Sequence, residues 1–214
     1  MGGRGAAGKW KTVSNGGGGK APPFHEIKSL EGLTVREFED KVRTRKNEYV
    51  GLVNKQGAVY LAGTSYRTGS VGIPIGHPDF KKSVGFTHNH PSSGDRMIGA
   101  TFSDADVKNM ATFKHSFVRA CASGPNENTY ILRTKKGARH NYSALRTYAA
   151  KSENRIKHIV NSEYDKAQTK LNAKGKFLSQ KRKSQIALGA AKKVWKSPEV
   201  QKAGFEYIEI KKRI

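Results

Sequence analysis

The chain has 214 residues with 40 Lys/Arg against 17 Asp/Glu, a formal net charge of +23. That is length for one good core, and a charge that points to a polyanionic neighbour without saying anything about fold. Its only cysteine, Cys121, excludes a disulfide framework and a thiolate metal site, and no apolar stretch approaches the roughly 18 residues of a membrane span, so no membrane partner and a reducing bacterial cytoplasm are expected.

Residues 1–24 carry the run Gly16 to Gly19, three Lys and one Arg, with little to bury. They lack the apolar segment of a secretory signal and read as a disordered basic arm. Thr34 and Glu37 have capping-box spacing, and Val35, Phe38 and Val42 recur at helical intervals, which predicts a helix over 34–45. A strand over 48–53, a hairpin turn at 54–57 and a strand over 58–63 follow. After a Gly- and Ser-rich loop, 83–90 reads as another strand. Ser103 opens a helix to about residue 113, and two strands, 117–122 and 129–133, are joined across Gly124-Pro125-Asn126. Cys121 reads as a small buried residue in the apolar run with Phe117, Val118 and Ala120. The fold class is α/β, one mixed sheet with flanking helices.

Beyond Gly137 the pattern changes. Leu145, Tyr148, Ile156, Ile159, Val160, Tyr164 and Leu171 predict one long amphipathic helix broken near Gly175. A second helix is expected over 179–195, ending before Pro198, and a short strand over 205–212 that pairs with a sheet edge. Three units result: the arm 1–24, a catalytic-looking domain 25–137, and a basic helical extension 138–214. From Arg133 to Ile214 the chain holds 22 of the Lys/Arg and 6 of the Asp/Glu.

The informative stretch is His88-Asn89-His90-Pro91, an eleven-residue spacer, then Ser103-Asp104-Ala105-Asp106. Histidines two apart on a strand face the same way. A carboxylate in the first turn of the following helix reaches the strand end, while Ser103 with Asp106 also makes an ordinary helix start. Three N/O ligands leave a fourth position open, as a catalytic zinc requires. His77 and His115 lack ligand spacing, and His25, His140 and His158 carry no signal.

This stretch resembles the JAMM/MPN (JAB) metalloprotease signature, His-x-His-Pro, a spacer, then Ser-x-x-Asp. Asn89 and the Ser92-Ser93-Gly94-Asp95 that follows look most like its bacterial RadC-type and phage-encoded branch. The resemblance covers roughly residues 33–135. It implies a JAMM/MPN-like fold, with Zn²⁺ held by His88, His90 and Asp106. Glu48, from an upstream strand, is the implied general base, with Glu37 and Glu39 as poorer candidates. Ser103 is the implied donor to the oxyanion. The implied reaction is hydrolysis of an amide or isopeptide bond in a protein substrate, including ubiquitin-like conjugates on lysine, by a phage or prophage product. The spacer is longer than the family's, and residues 92–102 are expected to form a loop that decides the substrate.

A different class of reading starts from the charge. Lys181-Arg182-Lys183 and Lys192-Lys193 are candidates for phosphate contact with nucleic acid, which would make the JAMM-like domain a RadC-like binding scaffold. A phage head-associated processing or toxin module is a third reading. No base-reading motif is present, and the adjacent letters His88-Asn89-His90 are not the dispersed HNH nuclease motif.

Overall fold

A computed structural model describes residues 11–15, 22–91, 101–123, 128–173 and 175–211. It is a mixed α/β structure. Seven strands form one sheet in the order β2 (His25–Glu26), β4 (Val59–Thr64), β3 (Tyr49–Val53), β6 (Gly85–His90), β7 (Phe117–Ala122), β8 (Thr129–Thr134), β9 (Phe205–Ile210). The β6–β7 pair is parallel and every other neighbour is antiparallel. The parallel step is where the chain crosses over through α2 (Asp104–Thr112), as a parallel connection requires.

The expected elements form where local chemistry favours them. Thr34 and Glu37 close a capping box at the head of α1 (Val35–Val42), and Asn54 organises the β3–β4 hairpin by accepting from the backbone of Gln56 and Ala58. The Gly- and Ser-rich loop after β4 holds an unforeseen strand, β5 (Val71–Ile73), too short for a periodic signal.

Three expectations are corrected. First, the stretch 1–24 is not an arm throughout. β1 (Val13–Asn15) pairs antiparallel with β5, and Phe24 is buried. The glycine run lies outside the described residues, as do 92–100 and the 124–126 turn.

Second, the long helix is two. α3 (Tyr142–Ala149) and α4 (Ser152–Asn172) are separated where the Ser152 hydroxyl donates to the Ala149 carbonyl and Arg155 stacks 4.0 Å over the Tyr148 ring. The break has a packing cause. Leu145 and Tyr148 enter the sheet's core, whereas Val160 packs with Ala187 and Ala190 of α5 (Gln180–Trp195).

Third, residues 138–214 are no appended unit. Leu145, Leu188, Trp195, Val200 and Phe205 share one core with Val50, Leu52, Phe86 and Leu132 of the sheet. β9 pairs with β8 from Thr129↔Ile210 to Thr134↔Phe205. A short helix, α6 (Pro198–Lys202), was not foreseen. At Gly204, with φ +88°, an added Cβ would lie 2.3 Å from the Arg139 carbonyl, so only glycine makes this turn into β9.

α1 covers the opposite face of the sheet, where Phe38, Val42, Val53, Val59 and Cys121 form a second cluster. Among the described residues no helix is long and apolar enough to cross a membrane.

Candidate metal centre

The centre is built at the carboxyl end of β6. Residues 88 and 90 share a strand face by the two-residue pleat. Val50 pairs with His88, so continuing the register brings Glu48, just before β3, to the same face beside His90. Glu48 has its backbone tied down, its N–H donating to the Arg67 carbonyl at 2.7 Å and its carbonyl accepting from the Thr64 hydroxyl at 2.7 Å. Asp106 arrives from the first turn of α2, on its buried side.

The ligand atoms of Glu48, His88 and His90 lie within 4.8 Å of one another, so these three residues can bind a metal ion. His88 Nε2 is 2.8 Å from His90 Nε2 and 3.2 Å from Asp106 Oδ1, and His90 Nε2 is 3.8 Å from Asp106 Oδ2. Ligand bonds of about 2.0–2.1 Å in a tetrahedron set neighbouring ligand atoms about 3.3 Å apart. The His88–His90 and His88–Oδ1 separations bracket that value, while the 3.8 Å from His90 is to Oδ2, the oxygen that Ser103 holds. Asp106 Oδ1 is buried, and among the described residues its one polar neighbour is His88 Nε2 at 3.2 Å, with no hydrogen bond of good geometry. A buried carboxylate oxygen in that condition is costly unless a cation or proton is shared across the pair. The donor set of imidazole and carboxylate suits zinc, iron, nickel or copper and is too poor in oxygen for calcium.

Electrostatics agree with a coupled cluster. Burial pushes the Glu48 carboxyl up to about 8, with His88 working against this and Asp106 adding to it. Burial also pushes Asp106 upward, but the His88 and His90 imidazoles and the Ser103 N–H outweigh it and hold the carboxyl at about 2. For His88 burial favours the neutral ring, yet Asp106 and then Glu48 raise its proton affinity above the ordinary value. The site therefore attracts positive charge into a place where burial opposes any charge.

Ser103 sits at the head of α2, where its hydroxyl donates to Asp106 Oδ2 at 2.9 Å and accepts from the Asp106 N–H, while its own N–H donates to the same oxygen at 2.7 Å. These bonds orient the carboxylate so that Oδ1 faces His88 Nε2 at 3.2 Å.

Asn89, read in the sequence only as a marker of the family branch, has a structural role that the sequence reading missed. Fully buried on the opposite face, its side-chain oxygen accepts from the Tyr49 N–H at 2.7 Å and its amide donates to the Asn47 carbonyl at 3.0 Å. It clamps the chain on both sides of Glu48. The available signal was an amide side chain in a buried strand, which must find partners.

The other candidates lie elsewhere. Glu37 is spent in the α1 capping box, and Glu39 is on the far face, ion-paired to Arg119 at 2.6 Å and accepting from Thr87. His77 caps a 3-10 turn (Pro78–Lys82), and His115 packs against Phe80, Phe86 and Phe113.

On α5, Lys181, Arg182 and Lys183 are exposed at one end and Lys193 at the other, where it pairs with Glu163 at 3.8 Å. Lys192 is corrected. It is half-buried and bonded to Glu209 of β9 at 2.7 Å, so it joins α5 to the sheet and is not available to phosphate. Comparison of the chain with protein-family models, with curated proteins and with solved structures finds no match.

Proposed function

We propose that the chain is a zinc-dependent amide hydrolase of JAMM/MPN type, acting on a peptide or isopeptide bond of a protein substrate. The observation that carries this reading is the convergence of His88, His90 and Asp106, with His88 Nε2 2.8 Å from His90 Nε2 and 3.2 Å from Asp106 Oδ1, and the buried Glu48 carboxyl beside them. His88 and His90 through Nε2, and Asp106 through Oδ1, would hold the ion. A zinc ion there would supply Lewis acidity, polarising a carbonyl and acidifying water at neutral pH.

The chain's own groups account for the proton movements. Glu48, pushed up to about 8 by burial, has a proton affinity near neutral pH, so its carboxylate can take a proton from water and deliver it to the leaving amine. Ser103 holds Asp106 in the orientation that turns Oδ1 towards His88. The preference for lysine-linked, ubiquitin-like conjugates and a phage or prophage origin rest on the resemblance of the His-x-His-Pro and Ser-x-x-Asp motifs alone. A second reading, a nucleic-acid-associated protein with this domain as scaffold, is favoured by the exposed Lys181, Arg182 and Lys183 on a chain of charge +23.

Metal analysis and turnover separate these readings. The purified chain should hold about one zinc, and His88→Ala/His90→Ala should hold none. Glu48→Gln should keep the metal and cleave a lysine-linked tag roughly 10²-fold more slowly or worse. Metal retained in the double histidine variant rejects the centre. Undiminished turnover in Glu48→Gln rejects Glu48 as proton carrier.

A further inference from the structure

A cavity of about 530 Å³ adjoins the centre, within the roughly 300–1,000 Å³ of small-ligand sites. His90 and Ser103 line it on the sheet side, and α4 forms the opposite wall. Its apolar surface comes from Phe102 before α2 and from Ile156, Val160 and Tyr164 on successive turns of α4.

The charged residues at its rim are already paired on their own helices. Glu153 meets Lys157 at 2.8 Å, and Asp104 meets Lys108 at 2.7 Å. The polar groups of the wall are engaged as well, the Ser152 hydroxyl with the Ala149 carbonyl and the Tyr164 hydroxyl with the Lys183 carbonyl. Among the described residues the cleft therefore presents mostly greasy surface to a guest, and its carboxylates and lysine are paired with charges on their own helices.

We propose that α4 is the substrate-selecting wall, and that the cleft takes a large aliphatic or aromatic side chain of an extended peptide. That side chain belongs to a residue within one or two positions of the amide brought to the metal centre. This rests on the hydrolase reading. The reach follows from shared lining: His90 belongs to both centre and cleft, and an extended chain advances only ~3.3–3.6 Å per residue. The element that the periodicity assigned to a separate extension thus becomes half of the binding site.

The test uses fluorescein-labelled Ala-Gly-Xaa-Gly joined to the lysine ε-amine, with Xaa as Leu, Phe, Asp or Lys. Each probe is titrated by fluorescence anisotropy against full-length Glu48→Gln protein. Leu and Phe probes should bind at least about tenfold more tightly than Asp and Lys probes. Asn161→Trp, at an exposed position that lines the cleft, should remove that preference while zinc content and thermal midpoint stay unchanged. Equal affinities across the four probes, no binding of any, or a preference that survives Asn161→Trp would each overturn the proposal. Turnover by the unmutated chain is followed in parallel. Selective binding with no cleavage of any probe upholds the cleft and rejects the hydrolase reading, and cleavage without selectivity does the reverse.

Discussion

Asn89 shows how a single side chain can set the geometry of a candidate metal site that it does not line. Its two hydrogen bonds bracket Glu48 at residues 47 and 49, so Asn89→Ala frees the segment that aims the carboxyl. On the hydrolase proposal, the variant should keep its metal and its KM while kcat falls about tenfold or more, because positioning errors act on the chemical step. The acid limb of its pH–rate profile should also move, since Glu48 would leave its desolvated position. A variant that loses stability but keeps wild-type kcat and pH profile would show Asn89 to be structural only.

His115 makes a pH-dependent contribution of known sign. Burial among phenylalanines holds its ring at about 4, below the ordinary 6.5. Between those values the unfolded chain takes up a proton that the folded chain does not. Stability is therefore whole above about pH 6.5 and falls as the pH drops towards 4, by on the order of 3 kcal/mol. His115→Phe should flatten this part of the curve in urea titrations from pH 7 to 4, and parallel curves for the two proteins would refute the assignment.

At the scale of elements, the last strand decides whether the C-terminal third belongs to the domain. Phe205 of β9 is fully buried and packs edge-on to Tyr142 of α3 with ring centroids 5.2 Å apart. Phe205→Ala should cost about 3–5 kcal/mol, whereas Ile210→Ala, 46% exposed at the other end of the strand, should cost no more than ~0.5 kcal/mol. Comparable small effects in denaturant unfolding would restore the view of a detachable extension.

Pairing of the terminal strand with a sheet edge was legible from its short apolar run. The strand's membership in the main core was not, because burial against Leu145 and Trp195 depends on partners about 60 and 10 residues away. The α3–α4 break was illegible for a related reason. Helical periodicity runs through residues 145–171 without interruption, and only the existence of two separate packing surfaces, the sheet and α5, divides it.

For the molecule as a whole, charge and fold occupy different places. The exposed Lys181, Arg182 and Lys183 lie on a helix whose other face carries Leu188, Val194 and Trp195 into the core, so the basic surface cannot be removed by truncation without unfolding the sheet. The sequence by itself determined the α/β class, the hairpin, the capped helices and the placing of His88 and His90 on one strand face. Each of these is encoded by near neighbours: a period, a capping spacing, or histidines two apart on one strand. Tertiary structure alone decided that Glu48 comes within ligand distance of the imidazoles, that Asn89 clamps it, that Ser103 is bound to Asp106, and that α4 walls the cleft. Those relations depend on strand register and on helices brought across the sheet, distances in space that no local pattern of residues records.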